Sequence, residues 1–63
     1  MHNAENYNQM SYLSKCINHN VEDIKALFSY NRVDMVWANE TRLRANIDCA
    51  LDSLKEMKAL LED

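Results

Sequence analysis

Sixty-three residues without a single glycine or proline leave few folds open. Two-residue hairpin turns need backbone at φ > 0, which glycine supplies most readily, and phosphate-cradling loops need glycine so that the main chain can approach its ligand. A small β-barrel, a dinucleotide-binding unit and a P-loop are therefore disfavoured together. The same absence removes flexible linkers and low-complexity tails. With 48% hydrophobic residues the chain has enough apolar side chain to order itself. What remains is an all-α protein in a single domain, residues 1–63. A chain this short buries only about 60% of the surface it exposes when unfolded, so its core is marginal and calls for a supplement.

Helical periodicity is clearest in the second half. From Val36 the positions 36, 40, 43, 47, 50, 54, 57 and 61 step alternately by four and three, a heptad seam interrupted by Glu40. Leu51 and Trp37 widen this stripe. The pattern predicts one long helix over about 34–62, some 43 Å in length, capped by Asp34 or Asn31. In the first half Tyr7, Met10, Leu13, Ile17, Val21, Ile24, Leu27 and Phe28 share a helical face. Asn18-His19-Asn20 has poor helix propensity, and Asn20 followed by Glu22 and Asp23 reads as a fresh cap. This arm is thus expected to kink or break into helices of about 5–18 and 21–30; a continuous helix would instead place Asn20 in the seam, where a buried asparagine sets register.

The chain must reverse within residues 29–33. Asn31 is the best residue for the left-handed position that closes a helix when glycine is absent. A turn centred between residues 32 and 33 pairs residues whose numbers sum to about 65, bringing Phe28 to Trp37, Leu13 to Leu51 and Met10 to Leu54. The expected fold is a helical hairpin, its first arm folded onto one long helix. Apolar length in excess of one short arm points to dimerisation into a helical bundle. In length and topology this resembles the plasmid copy-number hairpins of the Rop type. No motif accompanies that likeness, and no function is carried over from it.

No catalytic constellation emerges, so the chain is read as a non-enzyme without cofactor or metal. Cys16 and His19 have a spacing that can chelate, with Cys49 and His2 as further ligands, but zinc sites want recognisable pairs on both sides. Cys16 and Cys49 are expected as free thiols, with Cys49 turned away from its own hairpin. No basic, apolar leader is visible at the start and no run suits a membrane span, which predicts a cytoplasmic protein.

Function is therefore expected to be binding: a regulator, adaptor or inhibitor of another protein, including the kind that phages and mobile elements direct at host systems. The candidate contact residues are Asp48, Asp52 and Glu56, a carboxylate stripe spaced by four on the long helix, with Arg42 towards its other end and Tyr12 as an exposed aromatic anchor. Residues 45–63 hold five acidic and two basic side chains, concentrating the net charge of -3 in that stretch. The alternative is a nucleic-acid-binding regulator using Arg32, Arg42 and Arg44, the only arginines. A helix-turn-helix fits poorly, since Lys25 stands where a small residue is wanted and Ser29 where glycine is usual.

Overall fold

The computed structural model describes residues 4–62. His2, a possible ligand by composition, and Asp63, one of the acidic residues near the C-terminus, lie outside them. The described residues form α1 (Ala4–Phe28), α2 (Val33–Ala38) and α3 (Glu40–Leu61), with no strand among them. The helical hairpin is as expected, and α1 packs along α3. Asn31 makes the reversal with φ 52°, in the left-handed region its short polar side chain tolerates.

The expected break in the first arm is absent: α1 runs unbroken from Ala4 to Phe28. Low propensity at Asn18-His19-Asn20 amounts to tenths of a kcal/mol per residue, and a specific tertiary contact outweighs it. Asn20 turns into the seam and its Nδ2 donates to Asn46 Oδ1 at 2.9 Å. The interruption falls in the second arm, where a single helix was expected. Asn39 adopts φ -112°, ψ 28° and separates α2 from α3. Its side-chain Nδ2 donates to the Met35 carbonyl at 2.8 Å, and its own N–H turns to Val36 O, three residues back. A short polar side chain competing for backbone in this way bends a helix. The caps differ too. Arg32, not Asp34 or Asn31, precedes α2; Asp34 sits in the first turn and accepts from Arg32 Nε at 3.2 Å and Nη2 at 2.6 Å.

The burial pattern shows how the arms meet. On α1 the less exposed positions include 6, 10, 13, 17, 20, 24 and 27, with 11, 16 and 23 beside them; on the second arm they include 39, 43, 46, 50, 53, 57 and 60, with 35 and 36 ahead of them. The series from 6 to 27 and from 39 to 60 step by four and three, a heptad seam in each helix. The pairing sum is 66 at Asn20–Asn46, close to the sequence-derived register. The expected large-on-large contacts fill the seam only in part. Asn6, Asn20, Asn39, Asn46, Ala50 and Ser53 occupy inner positions, while Val21, Phe28, Ile47, Leu51 and Leu54 lie outward and exposed. Trp37, expected to be covered by Phe28, is 64% exposed. Among the described residues the buried apolar side chains are Leu13, Leu27 and Val36.

The centre of the seam is polar and closed. Asn46 Nδ2 donates to Asp23 Oδ2 and, at 3.0 Å, to the Arg42 carbonyl, while Arg42 clamps Asp23 through Nε at 2.9 Å and through Nη2. No buried side-chain polar atom among the described residues is left without a partner. Hydrogen bonds from Arg42 and then Asn46 hold the Asp23 carboxyl at about 2, below its ordinary 3.8. The folded state therefore binds fewer protons than the unfolded one. The stability contributed by Asp23 is present above its ordinary value and is lost as pH falls from about 4 towards 2. Chemical denaturation at pH 5, 3.5 and 2.5 should show a declining midpoint, and Asp23→Asn should flatten that decline.

Candidate functional site

The heptad sorts the remaining side chains onto two broad faces. In an antiparallel pair, the residue one step before a seam position points to the same broad face in both helices, and the residue one step after points to the other. Tyr12, Cys16, His19 and Asp23 precede seam positions on α1; Arg42, Cys49, Asp52 and Glu56 do so on α3. They compose a polar face. Val21, Phe28, Ile47, Leu54 and Leu61 follow seam positions and compose an apolar one.

Of the sequence-derived contact residues, Tyr12, Asp52 and Glu56 come together on the polar face. All three are exposed, Tyr12 at 63%. The Tyr12 hydroxyl donates towards the Cys16 sulfur one turn on. That bond, then the charge on Cys16, slight desolvation and the Glu56 carboxylate across the helix pair raise Tyr12 above its usual 10.0. Asp48 is not part of this group. It lies on the back of α3, beside a shallow hollow also lined by Trp37, Leu43 and Ile47. A spacing of four advances about 40° round a helix at each step, so the stripe winds out of one plane. Arg42 is on the polar face but is committed to Asp23 across the hairpin.

The ion pairs divide the surface further. Arg32 pairs with Asp34, Arg42 with Asp23, Arg44 with Glu40 and Lys25 with Glu22. Every arginine is thus matched locally, and Arg42 and Arg44 project about 200° apart on one helix. None of these pairs engages Asp48, Asp52 or Glu56. The three arginines make no shared patch.

Cys16 and Cys49 are both free, and they line one hollow on the polar face with Lys15, His19, Asn20 and Ser53. This corrects the expectation that Cys49 turns away from its hairpin; the seam runs through Ala50, not Ile47, and that rotates Cys49 towards Cys16. His19 borders the same hollow, yet no group of three His, Cys, Asp or Glu side chains among the described residues is arranged to hold a metal ion. No described helix is long and apolar enough to cross a membrane. Sequence reasoning overlooked the Asn20–Asn46 pair as the centre of the molecule. The signal was present in the seven-residue spacing of Asn6, Leu13, Asn20 and Leu27, which matches Asn39, Asn46, Ser53 and Leu60.

No protein-family model, curated protein or solved structure matches this chain.

Proposed function

We propose that this chain is a non-enzymatic protein-binding module, a small regulator, adaptor or inhibitor that engages a basic surface of another protein through its polar face and acts as a homodimer. The observation that carries the reading is the concentration of unmatched negative charge beside an exposed aromatic ring. Asp52 and Glu56 stand free of ion pairs next to Tyr12, while the cations nearest in sequence, Lys55 and Lys58, project from other sides of α3. Tyrosine supplies contact area at low entropic cost, and the carboxylates steer a cationic partner. The nucleic-acid alternative finds less support, because Arg32, Arg42 and Arg44 are neutralised locally and face different ways.

The test is affinity capture from host lysate with and without nuclease, followed by titration of the captured protein. Asp52→Lys combined with Glu56→Lys is expected to weaken binding at least tenfold and leave helicity unchanged, since exposed positions rarely alter stability by more than about 0.5 kcal/mol. Arg32→Glu with Arg44→Glu is expected to have little effect. Capture abolished by nuclease, with the arginine pair dominant, would replace this reading with the nucleic-acid one.

A further inference from the structure

The hairpin is elongated. Two helices lie side by side in a single layer, and the chain's principal extents are 48 × 15 × 11 Å. Its radius of gyration is 14.6 Å, against about 10.6 Å for a globular chain of this length. Its accessible surface is 5041 Å², whereas a folded monomer of 7.4 kDa exposes about 4,200 Å². The excess, roughly 800 Å², is what one partner buries in an interface of standard size. Stable domains enclose a core between at least two layers, and this chain alone provides one.

The surplus surface has a definite place and period. Val21 and Phe28 on α1 are seven residues apart, as are Ile47, Leu54 and Leu61 on α3, each one step outside the seam between the two helices. With Leu51 they are 41–56% exposed. This is a second heptad stripe on the same broad face of both helices. Helices in a four-helix bundle carry two such stripes, one for each neighbour. Lys25 borders the face on α1, and Glu40, Arg44 and Lys58 border it on α3; Lys25 pairs with Glu22 and Arg44 with Glu40, so most of the rim charge is matched within each copy.

We infer that this apolar face is where a second copy of the chain docks, two hairpins closing face to face into a four-helix bundle whose polar faces remain outside. The period of the stripe matches itself, and a two-fold axis lets one patch serve both sides. A chain that buries only about half of its unfolded surface gains stability by covering this face, and a second copy carries the matching stripe. The sequence-derived seam through Glu40 and Ala50 is thereby divided: Ala50 and Met57 belong to the hairpin, Ile47 and Leu54 to the dimer. The inference is independent of what binds the polar face.

Sedimentation equilibrium of the whole chain tests it, together with acrylamide quenching of Trp37, which edges the apolar face and is 64% exposed in the single hairpin. The expected mass is twice 7.4 kDa at micromolar concentration, with Trp37 shielded over the same concentration range and a melting temperature that rises with concentration. Leu51→Lys is expected to weaken dimerisation at least about 30-fold, as loss of an anchor residue does; Glu56→Lys, on the other face, is expected to leave it unchanged. A folded monomer at 100 µM in the wild type would overturn the inference. So would a larger assembly, or a dimer in which Trp37 stays as accessible as in the dilute chain. Should Leu51→Lys lose its helicity, the wild-type mass and Trp37 shielding still decide.

Discussion

Truncating Leu13 to alanine is expected to cost about 2–5 kcal/mol, the range for emptying a buried leucine site. Leu13 is 4% exposed, one of three buried apolar side chains among the described residues. The register set by Asn20 and Asn46 brings it level with Ser53, with Ala50 one turn away. Neither is large enough to close the space left behind. A domain of this length has roughly 3–9 kcal/mol of total stability, so the loss is of the same size as the whole. Thermal and chemical denaturation should find Leu13→Ala largely unfolded at 25 °C. Leu54→Ala, half-exposed in the single hairpin at 49%, should leave the hairpin folded when protein is concentrated and show its effect on dilution. Equal losses at the two positions, independent of concentration, would mean that inner and outer stripes are not distinct.

The second large effect is expected at the polar centre, and there it should reverse. Asn46 is 8% exposed and accepts from Asn20 while donating to Asp23. Asn46→Leu leaves the Asn20 amide facing a hydrocarbon and takes a donor from Asp23. An unsatisfied buried polar group of this kind costs about 1–3 kcal/mol. Asn20→Leu alone strands the Asn46 carbonyl oxygen and should be harmful as well. Together the two substitutions put apolar side chains on both sides of the seam, and stability should recover by at least about 1 kcal/mol relative to the sum of the single losses. Full double-mutant cycles by urea denaturation measure this coupling. Additive losses would show that the two amides contribute separately. The recovered variant should also pair its helices less selectively, since a buried asparagine pair admits one register and a leucine pair tolerates several.

Much of the architecture was legible in the chain. The lack of glycine and proline, the four-three spacing of apolar residues and the polar stretch around Asn31 lead to an all-helical hairpin reversing near residue 31, with partners summing close to 65. These features are local or periodic, and periodicity survives whatever the helix packs against. The carboxylates and tyrosine proposed for partner contact could be named for the same reason, as residues no apolar pattern absorbs.

Which side of each apolar stripe faces the other helix was not legible. Hydrophobicity alone centres the seam on Ile47 and Leu54, and on Val21 in the first arm. Only the paired helices show that Asn46, Ser53 and Asn20 lie inside instead. A one-residue choice rotates a helix by about 100°, and it is decided by contacts between residues 26 apart in sequence, the Asn20–Asn46 bond with Asp23 and Arg42 locked around it. That choice also kept α1 continuous through Asn20, brought Cys49 beside Cys16, and separated Asp48 from Asp52 and Glu56. The helical class and the place of the turn come from local propensity and spacing. The faces the helices present come from a long-range polar contact whose satisfaction no short stretch of sequence can report.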